Sequence, residues 1–160
     1  MKRGQGVSRG VGRGVGACLL GWAAVGCLPE GQRPATPDDV PASDAHVDQI
    51  TEGAALFAQR CAGCHGVSGL GDAETGAPAL VGPEALAYNP PADSELRTLT
   101  FWTAADLFHF VRGNMPIDRP GSLSAAEHWA VIAFVLHENG LDLRGQEVTL
   151  ENAWSFGLHP

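Results

Sequence analysis

Two cysteines and a histidine lie within five residues, as CAGCH at residues 61–65. On a helix, or in its last turn, residues i and i+3 face the same way, so Cys61 and Cys64 can both bond to one planar group. His65 follows directly and offers an imidazole nitrogen to an iron atom at the centre of that group. This spacing is the attachment pattern of haem c, in which two thioether bonds reach the vinyl groups of one porphyrin.

Two other chemistries use paired cysteines. A thiol redox pair usually lies between a strand and a helix, and the sequence around residues 61–65 predicts no such setting. Half of a zinc site needs a second pair of ligands, and no second cysteine pair is expected in the mature chain. The motif favours haem attachment, with both alternatives still open.

A single methionine indicates the second axial ligand. Met115 is the only methionine apart from Met1. It lies in the sequence GNMP at residues 113–116, a polar turn between two predicted helices, where a methionine that only fills a gap in a core would be unusual. We expect Met115 to bind iron on the face opposite His65, with His109 as the first replacement to test.

The first 26 residues are typical of an export signal, with four basic residues followed by a short apolar stretch at 15–25. The stretch has about eleven residues, whereas a bilayer span needs roughly 20. The sequence AVGC at residues 24–27 resembles a bacterial lipobox, which implies lipid attachment at Cys27. Ordinary signal cleavage is an alternative to the lipobox, because residues 24 and 26 are small. The alternative use of the cysteines is a disulfide between Cys61 and Cys64, with Cys27 left as a free thiol.

Residues 27–47 are rich in Pro, Asp and Ala, and they predict a flexible tether that spans roughly 25 Å. Four of the ten basic residues precede Cys27, which leaves six basic against 18 acidic residues, a net charge of −12. Nucleic acid is therefore excluded as a partner class, because phosphate binding needs clustered basic groups. Partner proteins are expected to present basic or neutral docking faces.

The pattern after the tether predicts an all-α fold of three main helices and one long loop. The first helix begins between Asp44 and Thr51 and runs to about Cys61. The second runs from residues 103–106 to 112–113, and the third from a capping box at 124–127 to 139–140. Between the first two lies a stretch at 66–101, rich in Gly and Pro, which such a domain tolerates only if it wraps something.

From residue 51 to residue 140 the sequence resembles a class I c-type cytochrome. The matching residues are Gly53 and Phe57 before CAGCH, Pro78-Ala79-Leu80 in the loop, Met115-Pro116, and Phe134 in the last helix. The resemblance implies a cytochrome c fold wrapped around one covalent haem c, with His65 and Met115 as axial ligands. It implies that the Pro78 carbonyl accepts the outer N–H of His65, and that Gly53 and Phe57 pack against Phe134.

This interpretation divides the chain into a signal peptide (1–26), a tether (27–47), a cytochrome c domain (48–142) and a C-terminal extension (143–160). Tyr88, Arg97 and Trp102 are candidates for contacts to the haem propionates. The other histidines have ordinary explanations: His46 and His159 are assigned to flexible ends, and His128, like His109, to a polar helix surface.

The expected function is single-electron transfer in the bacterial cell envelope, with the protein on the periplasmic side of a membrane. Residues 102–140 further resemble small monohaem cytochromes that accompany periplasmic dehydrogenases, which implies a dehydrogenase or a terminal oxidase as a partner. The rival hypotheses are a haem enzyme or gas sensor with an open iron position, and a subunit permanently docked to one dehydrogenase.

Overall fold

The computed structural model describes residues 44–159. The predicted signal at 1–26, the lipidation candidate Cys27 and the tether up to residue 43 lie outside this range. Within the range, the structure contains no helix that is both long and apolar enough to span a membrane.

Four helices form the domain: α1 (Asp44–Arg60), α2 (Ala62–His65), α3 (Ala104–Asn114) and α4 (Ala125–Glu138). A single 3-10 turn, Ala153–Ser155, follows near the C-terminus. Across residues 44–159 there is no β-strand, only two isolated bridges. The predicted all-α fold with three main helices is confirmed, and α2 is an added single turn at the CAGCH motif.

α1 and α4 cross at a glycine. A Cβ atom at Gly53 would overlap with the carbonyl oxygen of Ala130 and lie 2.8 Å from Cβ of Phe134. One turn further along, the rings of Phe57 and Phe134 pack with their centroids 5.4 Å apart. The absence of a side chain at Gly53 therefore lets the two backbones approach, as the sequence predicts.

The predicted capping box at 124–127 is present, and the predicted helix start at 103–106 is a capping box as well. Asp106 accepts the N–H of Thr103 at 2.9 Å before α3. Before α4, the Glu127 carboxylate accepts the N–H of Ser124 at 2.7 Å while the Ser124 hydroxyl accepts the N–H of Glu127. These bonds satisfy backbone donors that a helix start leaves without partners.

α1 begins earlier than the tether assignment allows. Residues 44–47 are helical, because His46 is buried and its Nδ1 donates to the carbonyl of Gln146 at 2.7 Å. The Gln49 side chain also forms two hydrogen bonds of 2.8 Å with the backbone of Val148. Residues 44–47 therefore belong to α1 and not to the predicted tether, and His46 does not belong to a flexible end.

Residues 141–159, which we name the C-terminal strap, pack onto the domain as part of its core. Val148, Ala153 and Phe156 are buried in the same cluster as the helices. The Phe156 carbonyl accepts the N–H of Ala104, at the start of α3. The strap thus joins the beginnings of α1 and α3.

α4 has an almost continuously buried sequence. Trp129 stacks on Phe108 of α3 at 3.9 Å between centroids. His128, expected on the surface, is fully buried, and its Nδ1 donates to the Ser124 carbonyl at 2.8 Å. The carbonyl of the N-cap residue thus satisfies one ring nitrogen, whereas Nε2 is buried without a hydrogen-bond partner in the described part of the chain.

Candidate haem-binding site

A cavity of about 410 Å³ lies between α2, the long loop, α4 and the turn after α3. Ligand pockets of proteins usually measure about 300–1,000 Å³. Four residues with possible ligand or attachment atoms line the cavity together: Cys61, Cys64, His65 and Met115. The structure therefore gathers in one place the four site residues on which the sequence interpretation depends.

His65 is buried, and its ring is held from one side. Its Nδ1 lies 2.8 Å from the carbonyl oxygen of Pro78, so Nδ1 carries the proton and donates it. Nε2 has no hydrogen-bond partner among the described residues, which leaves its lone pair for a metal in the cavity. The hydrogen bond that the resemblance implied is present, and the donor set fits haem iron.

The long loop wraps the cavity, as expected of a loop of this length. It contributes eleven lining residues: Pro78, Ala79, Leu80, Glu84, Leu86, Ala87, Pro91, Ser94, Leu96, Arg97 and Phe101. Most of them are apolar. A haem is a large apolar plane with two carboxylates on one edge, and this mostly apolar lining has the matching chemistry.

Burial raises the pKa of the Cys61 thiol to about 11, and the neighbouring Cys64 adds to the rise. Redox-active cysteines instead have lowered pKa values, because the thiolate is the nucleophile. The buried environment of Cys61 therefore disfavours a thiol redox pair.

The zinc alternative lacks its ligands. In residues 44–159 no group of three or more His, Cys, Asp and Glu side chains could hold a metal ion.

Met115 follows α3 directly. Its N–H donates the last helical bond, to the carbonyl of Val111 at 2.8 Å, and its extended backbone ends the helix there. The side chain lines the cavity and is half-buried, so it does not merely fill a gap in the core. Binding of iron by Met115 stays a prediction.

Arg97 lines the cavity, but most of its donors are already used. Its Nη2 donates to the carbonyls of Ala87 and Tyr88, and its Nε to that of Leu99 at 3.2 Å. The guanidinium lies 3.9 Å from the ring centroid of Phe101. Burial lowers the pKa of Arg97. The ordinary pKa of a guanidinium is so high that the group stays charged. Two N–H bonds on Nη1 have no acceptor in the described part of the chain.

Tyr88 and Trp102 do not line this cavity. Their rings pack edge to face at 4.5 Å on the other side of the loop, and Trp102 is 61% exposed. His109 is exposed on α3, near Trp154, and does not line the cavity either. His159 packs against Tyr88 and is half-buried, whereas the sequence assigned it to a flexible end.

Sequence reasoning missed the wall that α4 supplies. Val131 and Ile132 line the cavity, and Val135 lines it one helical turn later. Their spacing of one and four residues marks them as a helix face, but such a face looks the same whether it packs on protein or on a cofactor.

The family model described as "Cytochrome C oxidase, cbb3-type, subunit III" matches residues 48–135, which include CAGCH and Met115. The chain belongs to this family of c-type cytochromes. Proteins of this class carry haem c and transfer electrons, and the all-α fold agrees with that membership.

Two solved structures contain chains that resemble this cytochrome. The sulfane dehydrogenase SoxCD from Paracoccus pantotrophus contains a chain that is 26% identical, with a TM-score of 0.52 over 82% of this chain and 68% of that one. The thiosulfate dehydrogenase TsdBA from Marichromatium purpuratum, in its as-isolated form, is 29% identical with a TM-score of 0.42, over 69% of this chain and 22% of that one. No curated protein sequence matches the cytochrome.

Proposed function

We propose that this cytochrome is a single-electron carrier that holds one haem c through thioether bonds to Cys61 and Cys64, with His65 and Met115 as axial ligands. The observation that carries the proposal is the shared cavity, which these four side chains line together. They come from two separate parts of the chain, α2 with the residue before it and the turn after α3.

Bound haem c supplies one iron atom that cycles between the ferric and ferrous states. His65 and Met115 would hold the iron through an imidazole and a thioether, which would leave no position for a substrate and would raise the reduction potential. The apolar lining from α4 and the loop excludes water, which also affects the potential. The Nη1 donors of Arg97 are suited to a propionate at the cavity edge.

Three measurements test this function. Denaturing electrophoresis of the mature protein should leave haem on the polypeptide, and replacement of Cys61 and Cys64 by Ala should abolish this. The ferrous protein should not bind carbon monoxide rapidly. Rapid carbon monoxide binding would instead support a haem enzyme or a gas sensor, which needs an open iron position.

The electron donor that we propose is a periplasmic dehydrogenase, and the acceptor is a respiratory protein. The likeness to a chain of sulfane dehydrogenase supports a dehydrogenase partner, and it favours a second candidate role, that of a permanently docked subunit. Gel filtration of the mature protein with a candidate dehydrogenase separates the two. A stable complex supports the subunit role, and separate elution with rapid electron transfer supports a shuttle.

We further propose that the chain is exported and anchored by lipid at Cys27, with the tether between anchor and domain. Replacement of Cys27 by Ala should move the protein from the membrane fraction to the periplasmic fraction. A protein that stays with the membranes after this replacement is held there by something other than the lipid.

A further inference from the structure

Asn139, the residue directly after α4, connects two distant parts of the chain. Its side-chain Nδ2 donates to the carbonyl of Val135 in α4 and to that of Leu80 in the long loop, both at 2.8 Å. Its Oδ1 accepts the N–H of Gly82 at 3.1 Å. Two carbonyls and one N–H surround the amide, so its orientation is determined by its partners.

The loop segment that Asn139 holds is the one that orients His65. Leu80 lies two residues after Pro78, whose carbonyl accepts the Nδ1 proton of His65 at 2.8 Å. The position of the Pro78 carbonyl therefore depends on what holds residues 78–82.

From the other side, the segment is held by the chain next to His65. The carbonyl of Gly69 accepts the N–H of Leu80 at 2.7 Å and that of Val81 at 3.0 Å. A Cβ atom at Gly71 would lie 2.8 Å from the nitrogen of Ala79, so the loop passes directly over this glycine. These contacts join the segment only to residues that closely follow His65 in the chain.

Asn139 supplies the connection that is not local. It ties residues 80–82 to the end of α4, and the same helix forms the cavity wall through Ile132 and Val135. We propose that Asn139 is a positioning residue for His65: by fixing the segment 78–82 on α4, it holds the Pro78 carbonyl against the imidazole. The inference rests on the proposed haem function, since its effect is exerted through a ligand of iron.

The sign of the effect follows from the chemistry of the imidazole. A strong hydrogen bond from Nδ1 to a carbonyl makes Nε2 more basic, and a more basic ligand favours ferric iron. If the Pro78 carbonyl is free to move away, the ferric form is stabilised less and the reduction potential rises. Entry of water into a loosened cavity has the opposite sign, because water stabilises the more highly charged ferric site.

The test is the reduction potential of the Asn139→Ala holoprotein. We expect the ferrous to ferric ratio at a fixed applied potential to rise about threefold, a shift of about +30 mV at 59 mV per tenfold for one electron. The matched control is Asn152→Ala. Asn152 also forms side-chain bonds to backbone atoms, those of Thr149 and Glu147, but it lies in the C-terminal strap and does not line the cavity. Its removal should leave the potential unchanged.

A second measurement needs no variant. In the unmodified holoprotein, the Nδ1 proton of His65 should exchange with solvent at a rate that follows the N–H of Gly82, since one opening event exposes both. An Asn139→Ala potential that is unchanged or lower, or a His65 proton that exchanges independently of Gly82, would overturn the inference. Failure of the proposed function would be seen in a different sample, the unmodified protein. That protein would then lack covalent haem or would have an open iron position.

Discussion

Gly53 of α1 lies so close to Ala130 of α4 that any side chain on the glycine would meet the carbonyl oxygen of that alanine. This contact brings α1 and α4 together. α1 ends at Arg60, so the helix leads directly into the CAGCH motif. The packing that positions the CAGCH motif therefore depends on a residue without a side chain, Gly53.

Gly53→Ala should destabilise the protein. Overpacking a well-packed contact costs about 1–3 kcal/mol, and here the neighbour is backbone and cannot give way. The better helix propensity of Ala returns at most about 1 kcal/mol. We expect a net loss of about 2 kcal/mol in the free energy of unfolding, measured by urea denaturation of the holoprotein. Gly113→Ala is the control, since that helical glycine has open space around it and should gain stability.

Met115→Ala should open one side of the iron. Without the thioether, the potential should fall by on the order of 100 mV, and the ferrous protein should bind carbon monoxide. Ile117→Ala is matched to it, because Ile117 lines the same cavity but carries no ligand atom. If the Ala variant keeps the spectrum and potential of the unmodified protein, then Met115 is not a ligand.

Two substitutions at Arg97 separate the effect of its positive charge from the effect of its planar shape. Arg97→Lys keeps the charge but loses the planar fork that reaches three carbonyls and stacks on Phe101. Arg97→Gln loses both. We expect each variant to lose about 2 kcal/mol of stability, from hydrogen bonds of a charged donor and the ring contact.

Only the Gln variant should lower the reduction potential, because removal of a positive charge near the haem stabilises ferric iron. The Lys variant should keep it. An Arg112→Gln variant controls for net charge, since Arg112 is exposed on α3 and does not line the cavity. Equal potentials for the Gln and Lys variants of Arg97 would argue against a charge contact with the haem.

Glu127 should contribute a pH-dependent part of the stability. Hydrogen bonds from the backbone and side chain of Ser124 lower the pKa of this carboxyl group below its ordinary value of 4.5. A lowered pKa in the folded state means that the stabilisation is complete above about pH 4.5 and is lost as the pH falls below it.

The stability difference between unmodified protein and Glu127→Gln should therefore be present at pH 7 and should shrink as the pH falls below about 4.5, by urea denaturation at each pH. Glu138→Gln removes the same charge from the same helix, but without a capping bond. A Glu127 difference that persists unchanged to pH 3 would contradict the assigned role of its carboxylate.

The local features of this chain could be predicted from sequence. Two helix starts are predicted by residue pairs three positions apart, Thr103 with Asp106 and Ser124 with Glu127. Such pairs can be recognised because a capping box involves only nearby residues. CAGCH is equally local. Gly53 was placed correctly because a costly glycine within a helix needs a close neighbour.

The features that failed depend on contacts between residues far apart in the chain. His46 reads as part of a polar tether until Gln146, one hundred residues later, accepts its proton. Tyr88 and Trp102 are suitable propionate donors by type, but the loop directs them to each other instead. Asn139 is predicted only as the end of a helix, and the path of the loop brings Leu80 and Gly82 into hydrogen-bond distance of its side chain.

The burial of Cys61 sets an order of events in the assembly of the holoprotein. With a pKa of about 11, only about one thiol in 10,000 is ionised at pH 7, whereas at the ordinary value of 9.0 the fraction is about one in 100. If covalent attachment uses the ionised thiol, it is favoured before the domain closes around Cys61. α4 follows the motif by about 60 residues, so Cys61 is synthesised before the helix that completes its surroundings.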